Sequence, residues 1–210
     1  MLSSQLLVGA SFDCGKAATE VEKTICADPM LSKLDTFLAL AYKQALTKSS
    51  DRKKRKASQY HWLVSKRNAC NDDAICLHRE YFLRILELTD VAKKNVLSGS
   101  YERYDQDRPS FHSSDIDILE LTDHQIYING MALWYLNKEN EAKGIVHMGE
   151  VNGIFPLAEN RVKYQDTYGC SFLITFQKNG FVVSESKNTD GCWGANVTFD
   201  GKYIKKGAKP

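Results

Sequence analysis

The chain has 210 residues, 43% of them hydrophobic and 26% charged, enough for one large or two small domains with a buried core. Its formal net charge of +2 makes no general case for nucleic-acid binding. No apolar run approaches the roughly 18 residues that a membrane span needs, and no lipobox precedes Cys14, so neither a span nor a lipid anchor is indicated.

The charge is unevenly shared. Residues 1–98 hold 16 Lys and Arg against 11 Asp and Glu, a net of +5, whereas residues 99–210 hold 12 against 15, a net of −3. Without the basic tail, residues 99–201 hold 8 against 15, a net of −7. A basic first half is joined to an acidic second one, which is a hint about partners.

The six cysteines, Cys14, Cys26, Cys70, Cys76, Cys170 and Cys192, are even in number and suit an oxidising compartment. Their separations of 12, 44, 6, 94 and 22 lack metal-finger spacing, and only His78 stands near a cysteine pair. Disulfides are expected; no metal or other cofactor is.

In chain order, residues 1–10 read as a signal-peptide remnant or a disordered tail. Leu6-Leu7-Val8-Gly9-Ala10 resembles the end of a secretory signal, with small residues at Val8 and Ala10. A helical domain is expected over residues 11–97. Thr19 with Glu22 forms a capping box for a short helix ending near Cys26. Asp28-Pro29 caps and starts a second, whose buried stripe is Leu31, Leu34, Phe37, Leu38, Ala41, Tyr42 and Ala45. Asp51 caps a third that opens with Arg52-Lys53-Lys54-Arg55-Lys56. That basic run lacks interleaved aromatics, so it reads as a solvated helix end rather than a nucleic-acid patch. A fourth helix follows Asp72-Asp73, with Ile75, Leu77, Tyr81, Phe82, Ile85, Leu86 and Leu88 apolar, and extends toward Leu97.

Two helices running out and back bring Cys14, Cys26, Cys70 and Cys76 to one end of a hairpin. Four cysteines allow three pairings. A bridge from the N-terminal segment to the turn between helices three and four is favoured, because local bridges constrain little chain. Trp62 is expected to pack the hairpin, and Arg67 to bond a carbonyl or carboxylate near the cysteines.

Phe12-Asp13-Cys14, Val21-Glu22-Lys23-Thr24-Ile25-Cys26-Ala27-Asp28-Pro29, Leu31, Leu34-Asp35 and Ala41-Tyr42 form one half of a recognisable pattern. Trp62-Leu63, Arg67-Asn68-Ala69-Cys70, Cys76-Leu77, Tyr81 and Ile85 form the other. Together, over roughly residues 12–88, they resemble the N-terminal module of the LprI-like lysozyme-inhibitor family. The resemblance implies a secreted, periplasmic or cell-envelope protein without enzymatic activity, and lysozyme inhibition is the family's namesake activity.

Beyond Gly99 the hydrophobic period falls from 3.6 to 2, predicting a β-rich domain over residues 99–206. Strands are expected at 99–104, 115–121, 125–134, 144–151, 161–164, 170–177, 181–186 and 196–205. Asp123-His124, Asn152-Gly153, Asn179-Gly180 and Asp200-Gly201 are read as the turns between them. The whole is therefore α+β: a disulfide-stapled helical hairpin, then a small antiparallel barrel or sandwich. A Cys170–Cys192 bridge is expected across neighbouring strands.

No nucleophile motif is present. Asp115, Asp117 and Glu120 are close in sequence, but neighbours on one strand rarely make a glycosidase pair. The expected role is binding of a protein target, most simply a lysozyme-type hydrolase. Alternatives are immunity against a toxic effector delivered to the periplasm, or non-inhibitory binding of an envelope ligand. Asp105, Asp107, Asp115 and Asp117 are the candidate partner-binding acids, and Trp193, beside the expected disulfide, is a candidate anchor.

Overall fold

The structure is a computed structural model that describes residues 9–90, 97–104, 111–122, 124–186 and 191–207. The predicted extension of the fourth helix toward Leu97 and residue Asp123 lie outside the described residues, as does most of the N-terminal tail. The chain divides into two compact units, residues 1–95 and 96–210.

The first unit is helical: α1 (Glu20–Ala27), α2 (Pro29–Lys48), α3 (Arg52–Trp62) and α4 (Ala74–Asp90). Thr19 caps α1 in a reciprocal box with Glu22. The backbone N–H groups of Thr19 and Ala18 hold the Glu22 carboxyl below its usual pKa. Asp28 caps α2 by accepting from the N–H groups of Met30 and Leu31, with Pro29 at the first helical position. Asp51 caps α3 through Lys54 N–H. Leu31, Leu34, Leu38, Ala41 and Ala45 of the α2 stripe are buried, whereas Phe37 and Tyr42 sit at its half-exposed margin.

The cysteines pair locally, as Cys14–Cys26 and Cys70–Cys76, not between the N-terminal segment and the turn before α4. The expected long-range bridge is overturned because each short segment already curls back on its own helix. A 3-10 turn at Cys14–Lys16 lies against α1, and a second at Asn68–Cys70 meets the first turn of α4. Asn71, at φ 54°, makes the sharp reversal between that second turn and α4.

Side-chain hydrogen bonds join the helices instead. The buried Asp35 carboxylate of α2 accepts from Tyr81 Oη of α4 at 2.7 Å and from Ser11 N–H at 2.7 Å. Burial and the Asp35 charge together drive the Tyr81 phenol far above its usual pKa. Asp28 Oδ2 faces His78 Nε2 at 2.9 Å. Buried Arg84 donates through Nε and Nη2 to Gln59 Oε1 at 3.0 and 2.9 Å, joining α4 to α3. Trp62 packs edge-on against Tyr81, with centroids 5.4 Å apart, and Arg67 donates to the Asn68 side-chain carbonyl.

The second unit is one antiparallel sheet of eight strands in the order β4-β3-β2-β1-β8-β7-β6-β5. They are β1 (Gly99–Arg103), β2 (His112–Glu120), β3 (Gln125–Trp134), β4 (His147–Pro156), β5 (Arg161–Gln165), β6 (Ser171–Gln177), β7 (Gly180–Glu185) and β8 (Gly201–Lys205). A short helix, α5 (Lys138–Ala142), joins β3 to β4. The strands at the two ends of the order, β4 and β5, are consecutive in the chain. The sheet therefore curls into a nearly closed, up-and-down barrel, which excludes a sandwich.

Between β4 and β5 side chains replace a ladder. Tyr164 of β5 stacks on Phe172 at 4.6 Å and meets Phe155 of β4 at 5.0 Å. Burial, with Asp166 nearby, pushes the Tyr164 phenol up to about 12. Phe181 stacks on Tyr203 at 4.9 Å in the same core. The Tyr203 hydroxyl donates to the Phe199 carbonyl and accepts from Ser114, each at 2.8 Å.

Several strand boundaries differ from expectation: β2 begins at His112 rather than Asp115, and β4 runs His147–Pro156 rather than over 144–151. Asn152-Gly153 is no turn: it lies within β4, opposite Asn129 and Ile128. Glycine is needed there because the Phe155 ring fills the space that a Cβ would take. The last strand begins at Gly201, not Asn196, although Val197 and Phe199 from the irregular segment before it enter the core.

Two outcomes are expected. Tyr81→Phe strips a donor from a buried carboxylate, so urea denaturation followed at the helical circular-dichroism band should show a loss of about 1–3 kcal/mol. For Asp28, burial opposes ionisation, but hydrogen bonds from His78, Leu31 and Met30 outweigh it and lower the pKa from 3.8. That stabilisation is present above the unfolded value and is lost as pH falls through the lower folded one. Asp28→Asn keeps the cap and should flatten the acid limb of melting temperature against pH below about 4.

Candidate partner-binding face

Alternation along β2, β3 and β4 sends Ile116, Ile118, Ile126, Ile128, Ala132 and Val151 into the barrel and the intervening residues outward. The register then builds the outer surface in rows. One is Ser113, Leu133 and Met148; the next is Asp115, Met131 and Glu150; the third is Asp117, Asn129 and Asn152. Glu102 of β1 lies opposite Asp115 and extends the second row.

Asp115 and Asp117 thus share one outward face, as strand alternation predicts. Asp115 is exposed and accepts from Lys206 Nζ at 2.9 Å, an ion pair of low worth in water. Asp117, half-buried, accepts from Ser100 Oγ at 2.6 Å. The two carboxylates stand side by side on one strand on the outside of the barrel, unlike a glycosidase pair, whose carboxyls flank the bond to be cleaved. Asp105 and Asp107 lie outside the described residues. Glu150, which sequence reasoning missed, completes the acidic row because β4 pairs with β3 one strand beyond the predicted acids. Nothing in the local sequence around Glu150 marks it.

Trp193 is not a surface anchor. It is 4% exposed and packs against Tyr164, Phe172 and Phe199, with centroids 5.7, 5.7 and 5.4 Å away. The Cys170–Cys192 bridge holds the preceding residue to the start of β6, which swings the indole into the core. Its backbone lies so close to β4 that a Cβ on Gly149 would collide with the Trp193 carbonyl. His147 Nδ1 also approaches the Ala195 carbonyl at 2.6 Å, so residues 193–195 lie against the inward-facing side of β4 near its start.

In the helical unit, Arg52, Lys53, Lys54 and Lys56 are exposed and Arg55 is half-buried, the disposition of a solvated helix end. Among the described residues no group of three or more His, Cys, Asp or Glu is placed to hold a metal ion, and no helix is long and apolar enough to cross a membrane.

Part of the chain is similar to lipoprotein LprI. The lipoprotein LprI of Mycobacterium tuberculosis and that of Mycobacterium bovis are each 36% identical to it over 83 residues. That stretch is 38% of this chain and 41% of each relative, so the chain spans about two fifths of the length of the curated relatives it matches. No family model matches the chain. No solved structure matches it either. The LprI-like resemblance drawn from the four-cysteine pattern is thus supported by relatives of that name over part of the chain.

Trp193→Ala should leave a large void in the barrel core. The expected cost is about 3–5 kcal/mol in denaturant unfolding, with loss of the near-ultraviolet aromatic signal.

Proposed function

We propose that this is a cell-envelope or secreted protein that binds a basic cell-wall hydrolase of the lysozyme type and inhibits it by covering its cleft. The observation that carries the reading is the outward row Glu102, Asp115 and Glu150 with Asp117 beside it, set on strands of a cross-linked barrel. The exposed cations Arg161 and Lys163 belong to β5, which barrel closure brings beside β4, so they border the acidic row on its Glu150 side.

Lysozymes are strongly basic proteins with acidic catalytic clefts. A carboxylate face would attract such a surface from solution and speed encounter, and its contribution would fade as salt shortens the Debye length. A rigid barrel wall loses little conformational entropy on docking, which favours inhibition by occlusion. Three disulfides suit an oxidising compartment outside the cytoplasm. The LprI relatives are lipoproteins by name, which is consistent with the envelope.

The test is binding and inhibition by the oxidised protein against c-, g- and i-type lysozymes, read as lysis of cell-wall suspensions. One-to-one inhibition is expected for at least one of them. The double variant Asp115→Lys, Glu150→Lys should lower the association rate about tenfold at low salt. If no lysozyme binds and a toxic effector of another class is neutralised instead, the immunity reading takes its place.

A further inference from the structure

We propose that an apolar lip beside the acidic row anchors the partner, and that the partner presents an apolar projection ringed by cations. The inference rests on the protein-binding reading above and names the chemistry of that contact.

Six large hydrophobic side chains of the β unit are exposed among the described residues: Phe111, Met131, Leu136, Ile145, Met148 and Tyr168. Tyr168 lies in the turn between β5 and β6. The other five belong to one edge of the β2-β3-β4 wall. His112, Trp134 and His147 are register partners at the strand ends, so Phe111, Leu136 and Ile145 lie one or two residues beyond that line. Met148 lies one residue inside it, beside Leu133, and Met131 follows in the next row. Leu136, Ile145 and Met148 are 60%, 58% and 54% exposed, more than isolated margin residues of a core.

The lip is held in place. Tyr135 N–H donates to the Phe111 carbonyl at 2.9 Å, and Ile145 N–H to the Asn140 carbonyl at 2.8 Å. Asn137 caps α5 between them through Asn140 N–H. The apolar groups are thus presented by ordered backbone, which keeps the entropic cost of docking low. Two of the five are methionines, whose unbranched thioethers mould to an irregular partner surface.

The surrounding charge selects the occupant. Asp115 and Glu150 bracket Met131 in the same row. Lys143 and Lys206 pair with Glu139 and Asp115, and against exposed Lys138 of α5 stand the exposed carboxylates Glu102, Glu141 and Glu150, so the face stays net acidic. A second copy of this face would bring like charges together, and an anionic membrane would be repelled. A protein surface with an apolar side chain among Lys or Arg is attracted, and burial of the lip would slow its release.

The probes are two synthetic peptides of equal positive charge, an amphipathic Lys/Leu helix and a Lys/Ser control, titrated against the whole oxidised protein. Methionine methyl resonances of Met131 and Met148 provide the site-specific readout. The Lys/Leu peptide should bind about tenfold more tightly than the control and shift both methyls. The surface variant Ile145→Ser, Met148→Ser should erase that preference while its unfolding curve stays unchanged. Equal affinity for the two peptides, or a preference that survives the variant, would overturn the lip. So would a concentration-dependent dimer in sedimentation that the variant abolishes. The lysozyme reading separates cleanly: inhibition undiminished in the variant removes the lip and leaves that reading standing. Peptide discrimination without inhibition of any lysozyme does the reverse.

Discussion

An antiparallel sheet must dispose of its two outer edges, and the β unit depends on how that is done at β4 and β5. Their backbones do not form a ladder, so the closure rests on the packing of Tyr164, Phe155, Phe172 and Trp193. Aromatic rings suit this task because each covers a large area and tolerates tilted contacts. The Cys170–Cys192 bridge and the glycine at 149 follow from the same need, since the indole must enter beside β4 and its backbone must lie flat against that strand. An unpaired edge left open would invite pairing with another chain.

The helical unit meets a different limit. Helices of this length are marginal without tertiary contacts, and a unit of this size has a thin core. Its two disulfides fasten short turns to single helices and cannot set how α2, α3 and α4 lie together. That is done by apolar burial and by the pairs Asp35–Tyr81, Asp28–His78 and Arg84–Gln59. Buried polar groups contribute little net energy when satisfied but cost a good deal when misplaced, so they select one packing among several of similar apolar burial.

Closure of the barrel also creates the face to which a function is assigned. Once β2, β3 and β4 form a continuous wall, alternation leaves every second residue outside, and the outside is where the acids and methionines gather. Electrostatic attraction and apolar burial then act at different stages of binding. The first acts over a Debye length and governs encounter; the second acts only at contact and governs residence. A surface with both in adjacent rows can be fast and durable without any moving part.

Much of this was legible along the chain. Caps at Thr19, Asp28 and Asp51, the α2 stripe and the Asn179-Gly180 turn depend on neighbours within a few residues, so local sequence determined them. The α+β division follows from the change of hydrophobic period near Gly99 for the same reason. What depended on long-range packing was not legible. The turn chemistry of Asn152-Gly153 was overridden by pairing with β3 and by the Phe155 ring. Trp193 beside a cysteine reads equally as an anchor or as core, and only the position of the bridge relative to β6 decides for core. Glu150 joins Asp115 across Met131 through a register that no local pattern encodes. Sequence by itself determined which elements form, because propensity and capping are local; tertiary structure decided which side chains meet, because strand order and barrel closure bring together residues far apart in the chain.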